Sequence, residues 1–463
     1  MPAAAFASPV AGQSGAFRAS WLLEQEARAL LTRLDSVKPF VLQQTMVPAA
    51  ALMPAAQVAI DRYLMRGRRE LRAEVLAYLR WLAGPGRAAA PDAVQRRFVA
   101  LKLRFNTALS QLDLFAEAIS QRSEHQTGVW LAGLDIAAQD ALVLPDRYYE
   151  VPPIVCHLHR GIGGAIRRAR TRLPGGGDSP VSIIKIPRER MIGYGIGSSL
   201  VHETGHQGAE LLDLLESLRA SMQQARNGIP VARRAAWVLF ERWISEIVAD
   251  LWAIGKIGIA STLGLIGIVS LPRLFLFRVD PDDPHPFPWI RVHLSCAIGD
   301  AMYPHRQWKQ LAESFNALYP TGGLRPEVVA LLRSLLDTMP TFVQFLLTHR
   351  PKLLRGRTVG EVMRMPDRDP DRLLMQYAAW RDRPSLMYAA PPTLVFAVFG
   401  RARSAGRLTP EEESRQLRKL ITHWALHSTL DVLGTCAVRW THRPTTRSTT
   451  APASTSGHTA RLV

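Results

Sequence analysis

Residues 237–255, WVLFERWISEIVADLWAIG, constrain the fold of this chain more than any other stretch. The run is apolar on nearly every side, so a helix built from it belongs at the centre of a core. Upstream, Pro230 stands where a helix is expected to begin, and the pattern predicts one helix along the run ARRAAWVLFERWISEIVADLWAIG, 232–255, that follows it. That helix nevertheless carries three carboxylates: Glu241, Glu246 and Asp250. A buried carboxylate needs a partner, and a metal ion is a good one.

The sequence offers a metal. His202, Glu203 and His206 form an HExxH motif within HETGH. On a helix, histidines four apart project from one face about one turn apart and can grip a single ion. Glu203 is rotated beside them, within reach of a metal-activated water but not itself a ligand. A catalytic zinc needs a third protein ligand and an open fourth position. The local solution, HExxHxxGxxH, fails twice, because Ala209 and Leu212 occupy the required positions. Glu246 is the expected third ligand. Asp250, one turn further on the same face, is expected to accept the free N–H of a ligand histidine. Glu241 is the second choice, and Glu210 and Asp213 are weaker ones.

HExxH followed by ExxAD on a later helix resembles the glutamate-ligand zinc metallopeptidases of the gluzincin type, most of all the CaaX-prenyl-protease/HtpX-like group. That group also carries an HP-x4-R element after the glutamate helix, and this chain has His285-Pro286 and Arg291 there. The resemblance implies a zincin-like core in which His285 and Arg291 face the active site and stabilise the oxyanion. From the residues alone, the same pair could instead fix the proline-rich loop by binding Asp282 or Asp283. The likeness covers 181–291. Members often have several transmembrane helices and this chain shows none, so prenylated peptides are not implied as substrates.

The pattern elsewhere predicts a mainly α fold with a small β-sheet. Apolar residues recur at helical spacing through 21–142, and two short β-like runs follow, IVCHL and VSIIKI. SIIKI is a candidate edge strand for pairing with an extended peptide. The stretch 193–197 is glycine-rich and leads into the HETGH helix, which is expected to run on through QGAELLDLLESLR. DPDDPHPFP must be a loop, and Thr409, Pro410 and Glu412 have capping-box spacing. The expected division is a disordered N-terminus (1–20), a helical region (21–180), a zincin-like catalytic core (181–345), a second helical region (346–440) and a disordered Thr/Ser/Pro-rich tail (441–463).

Charge and cysteine content limit the alternatives. The formal net charge is +18, but the arginines are scattered in short clusters such as Arg66, Arg68, Arg69 and Arg72. Scatter of this kind suits solvated helix faces, with weak contact to anionic surfaces and no specific nucleic-acid site. Cys156, Cys296 and Cys436 lie far apart, which agrees with a reducing, cytoplasmic setting. The uncharged run 257–272 falls short of the ~20 residues of a membrane span and is expected to be a buried core element. His157 and His159 on a strand, and His423 and His427 on a helix, are expected to be structural. The leading expectation is a Zn2+-dependent peptidase acting on a peptide or protein substrate. The alternative is a non-catalytic helical scaffold or adaptor with a structural or vestigial metal site.

Overall fold

Proline sets the helix starts. At the first helical position it forfeits no hydrogen bond and brings a preset φ, and helices open on Pro54, Pro91, Pro288, Pro326, Pro370, Pro392 and Pro410. The structure, a computed structural model, describes residues 19–36, 46–159, 164–173, 177–188, 195–280 and 282–441. In chain order come α1 (Ala19–Ser36), α2 (Pro54–Ala83), α3 (Pro91–Ser120) and α4 (His125–Leu142). Strands β1 (Ile154–His159), β2 (Ala165–Arg167) and β3 (Ser182–Pro187) follow. Then come α5 (Gly195–Leu211), α6 (Leu214–Ala225), α7 (Val231–Arg242), α8 (Ile244–Ile257), α9 (Ile259–Val269), α10 (Arg273–Leu276) and α11 (Pro288–Met302). The rest are α12 (Gln307–Leu318), α13 (Pro326–Thr348), α14 (Val359–Met363), α15 (Pro370–Asp382), α16 (Ser385–Tyr388), α17 (Pro392–Ser404) and α18 (Pro410–Thr441). The fold is mainly helical with one small sheet. The stretches expected to be disordered lie outside the described residues, except that 19–20 and 441 are helical.

The sheet order is β1–β3–β2, with β1 parallel and β2 antiparallel to β3. SIIKI is therefore the middle strand, which corrects its assignment as an edge. Its alternate residues enter different cores. Val155 and Ile183 pack with Ile60 and Phe115 of α2 and α3, whereas Cys156, Leu158, Ile184 and Ile186 join the main core. A strand covered on both faces reads as a continuous apolar run, as this one does. The true edge facing the functional cleft is β2, too short and too arginine-rich to show as a strand in sequence.

The main core draws residues from Trp130 to Trp424, and so from all three regions expected between 21 and 440. The helices α1–α3 have a further core of their own around Leu30, Val75, Phe98 and Phe105. At the centre lies α8, with Ile244 and every residue from Ile247 to Ile257 buried. The predicted single helix is two, because the chain breaks at Trp243 (φ −84°, ψ 3°) between α7 and α8. The HETGH helix also ends early. Asp213 takes a left-handed conformation (φ 51°), and α6 leaves in a new direction from it. The uncharged run 257–272 forms α9, largely buried against α5 and α17. Among the described helices, α13 is long and apolar enough to cross a membrane by length and composition. Its outward positions include Glu327, Arg333, Asp337 and Gln344, and its inward ones Leu332, Leu335, Phe342 and Leu346.

Candidate metal centre

Two glycines bring the site's helices together. A Cβ on Gly205 would lie 2.9 Å from Ala249 Cα, and one on Gly208 would lie 2.3 Å from the Trp252 ring. Only residues without a side chain allow α8 to lie this close to α5. Gln207, between them and fully buried, ties α5 to the sheet region. Its Oε1 accepts from the Ala169 N–H and the Ser182 hydroxyl, each at 2.7 Å. These contacts hold the HETGH helix against β3 and the segment after β2 on one side, with α8 on the other.

The result is a convergence of His202, His206 and Glu246. One ligand atom from each lies within 4.8 Å of the other two, and together they can hold a metal ion. His202 Nε2 is 3.3 Å from Glu246 Oε2, and His206 Nε2 is 3.4 Å from Glu246 Oε1. Asp250 Oδ1 sits 2.9 Å from His202 Nδ1, the nitrogen facing away from Glu246, close but not aligned for a hydrogen bond. Ser245 Oγ lies 3.4 Å from His206 Nδ1. Glu241 does not reach the histidines; it pairs with Arg226 and accepts from Gln223 Nε2 at 3.1 Å.

Arg291, at the start of α11, points into the same cluster. Its Nε donates to Asp250 Oδ2 at 2.7 Å, and its Nη2 donates to Asp250 Oδ1 at 2.9 Å and Glu246 Oε2 at 3.2 Å. Neither Asp282 nor Asp283 is its partner: Asp282 pairs with Arg242, and Asp283 holds His285. Asp283 Oδ1 lies 2.8 Å from His285 Nδ1 and accepts the His285 backbone N–H at 2.9 Å. That leaves His285 Nε2 at the cleft, 3.8 Å from Glu246 Oε1.

The electrostatics follow from this packing. Burial alone would raise the carboxyls of Glu246 and Asp250. His202 and Arg291 outweigh it, bringing Glu246 down to about 2 and Asp250 well below the usual range. Burial lowers the His206 pKa to about 4, with the His202 charge adding to it, whereas at His202 the Asp250 and Glu246 carboxylates outweigh burial and raise the pKa to about 10, so a metal ion entering the cluster would have to displace a proton from His202. Glu203 departs in the other direction. Burial raises its carboxyl, reinforced by the Glu246 charge and opposed by His202. Two neighbouring carboxylates pushed apart in this way are suited to different roles.

All seven residues singled out from sequence line or back one cleft of about 520 Å³. It also includes Gly164, Ala165 and Ile166 at β2, Arg168, and Leu265 and Ile268 from α9. Gly164 lies against the side chain of Glu203: a Cβ there would be 2.7 Å from Glu203 Oε1. Sequence reasoning missed Gly164, β2, Gln207 and Ser245. It also passed over Gly205 and Gly208, whose spacing of three beside His206 was the available signal of a close helix contact. Compared with known proteins, the chain matches no family model, no curated protein and no solved structure.

Proposed function

We propose that this chain is a zinc-dependent peptidase, with His202, His206 and Glu246 as the metal ligands. The convergence of these three groups beside Glu203, at the floor of an open cleft, carries the reading. Ligand atoms about 2.0–2.1 Å from a tetrahedral zinc stand roughly 3.4 Å from each other. Glu246 meets each histidine with a different carboxylate oxygen, Oε2 at 3.3 Å from His202 Nε2 and Oε1 at 3.4 Å from His206 Nε2, and one ligand atom from each of the three groups lies within 4.8 Å of the others, close enough for one ion to draw them together. Two imidazoles and one carboxylate also suit zinc chemically, and they leave a coordination position free. The resemblance to HExxH/ExxAD peptidases adds to this reading.

Zinc bound there supplies a Lewis acid that activates water and polarises a carbonyl. Glu203 is the general base. Its raised pKa and its place beside the ligands suit a group that takes the water's proton and delivers it to the leaving amine. His285, whose Nδ1 proton is held by Asp283, donates to the developing oxyanion as an imidazolium, through the proton that Nε2 then carries at the cleft. Arg291 is a positioning residue, since its guanidinium is engaged by Asp250 and Glu246 and keeps both carboxylates in place. The outer edge of β2 offers backbone groups to an extended peptide lying along the cleft.

The test combines metal content with hydrolysis. Purified protein is expected to carry about one zinc per chain, lost in His202→Ala and His206→Ala. Glu203→Gln is expected to keep the zinc and lose peptide hydrolysis by 10²-fold or more. Zinc retained in the native chain with no cleavage of a diverse peptide library would favour a structural site in a scaffold protein. A chain that takes up no zinc would overturn the peptidase and the structural site together, and leave a scaffold with a vestigial one.

A further inference from the structure

The proposed ligands come from two helices, but the groups behind the two histidines come from one. Each histidine turns Nε2 toward an oxygen of Glu246, at 3.3 Å for His202 and 3.4 Å for His206. Each is left with Nδ1 on the other side of its ring. Behind His202 that nitrogen faces Asp250 Oδ1, at 2.9 Å. Behind His206 it faces Ser245 Oγ, at 3.4 Å. Ser245, Glu246 and Asp250 all belong to α8, so this helix carries one proposed ligand and the outer partner of each of the other two.

A neutral imidazole has one N–H and one lone pair. With the Nε2 lone pair turned to a metal, the proton sits on Nδ1 and needs an acceptor. Among the described residues, the Ser245 hydroxyl is the one hydrogen-bond partner of His206 Nδ1, and that ring is the one partner of the hydroxyl. Other helical serines behave differently. Ser110 and Ser314 turn their hydroxyls back to the carbonyl four residues earlier in their own helices. The Ser245 contact is long for an N–H···O bond, and contacts of this kind tighten once the group they serve is bound.

We propose that Ser245 is a positioning residue of the metal centre, whose hydroxyl accepts the Nδ1 proton of His206 and holds that ring with Nε2 toward the ion. The inference rests on the zinc reading of the site and gives a role to a residue outside the ligand set. The two outer partners differ in charge. A carboxylate behind a ligand histidine both orients the ring and strengthens its donation, whereas a hydroxyl orients it alone. Orientation at His206 thus comes without a further negative charge beside Glu203, Glu246 and Asp250.

Chelator competition measures zinc affinity, and the visible absorption of the Co2+-substituted protein reports the geometry of the ligands. Ser245→Ala is expected to weaken zinc binding by about 10- to 100-fold. It is also expected to alter the cobalt bands, while the urea midpoint of the metal-free protein stays where it is. Ser245→Thr keeps the hydroxyl and is expected to retain the native affinity and the native bands. Ser245→Val has the shape of threonine without the hydroxyl, and it repeats the comparison if the alanine variant does not fold. Native affinity and bands in Ser245→Ala, or equal losses in the threonine and valine variants, overturn the role of Ser245 and leave the three ligands standing. A native chain that takes up neither Zn2+ nor Co2+ overturns the zinc reading, and the role of Ser245 with it.

Discussion

Glu241 and Glu246 are five residues apart in one apolar run, and the break at Trp243 gives them different partners. Glu241 faces Arg226 and Gln223 at the C-terminal end of α7, whereas Glu246 turns in the first turn of α8 toward the two histidines. Glu246→Gln is therefore expected to weaken zinc binding by 10²-fold or more, and Glu241→Gln to leave it unchanged, as chelator competition would show. Equal losses in the two variants would contradict the assignment. Gly164 presents a second case. Alanine there forces the Glu203 carboxylate to move, because 2.7 Å is far inside van der Waals contact. Displacing a catalytic group by about 1 Å lowers turnover on the order of 10²-fold. Gly164→Ala is thus expected to reduce kcat strongly with zinc content intact, and metal analysis alongside peptide hydrolysis checks it.

The unit of the site is the α5–α8 pair, and its spacing is set by glycine. Gly208→Ala places a methyl group against the Trp252 ring, and overpacking of this kind costs about 1–3 kcal/mol. Since α8 carries Glu246, the same change should also loosen zinc, and denaturant titration with and without the metal would measure both effects. The histidine pair and the glutamate–aspartate pair were legible because each lies within one helix, where spacing alone fixes the shared face. The pairing of the two helices was legible only by inference, from carboxylates too buried to stand alone. The break at Trp243 was not, because apolar periodicity continues straight through it. β2 was hidden for another reason: three residues, one of them arginine, are too few to establish an alternation.

Across the whole molecule, distant segments close around the site in ways no local pattern announces. Arg122 and Asp135 form a buried ion pair at 2.9 Å, and both bond to the backbone of Cys156, locking α4 to the sheet. His157, next to it on β1, is buried, and burial lowers its pKa to about 4 despite the opposing charge of Glu117. The unfolded chain binds a proton there near pH 6.5, so the native state is favoured in full above that pH and loses ground as pH falls toward 4. The share due to His157 is about 2 kcal/mol between pH 7 and 5. His157→Gln is expected to flatten that part of the pH dependence, as urea midpoints at the two pH values would show. An unchanged slope would mean that other groups govern acid sensitivity.

The contact between α4 and α18 has a consequence for the order of events during synthesis. α4 backs the HETGH helix, and its outer side is covered by α18, with Gly133 so close to Ile421 that a Cβ would lie 2.1 Å from the Ile421 carbonyl oxygen. The two helices are separated in sequence by every proposed ligand, so the elements that carry those residues leave the ribosome before the wall behind them can be closed. A growing chain halted before residue 410 would hold every proposed zinc ligand and yet lack the clamp on α4. The wall behind the proposed site is thus the last part of it to close, once α18 has settled on α4.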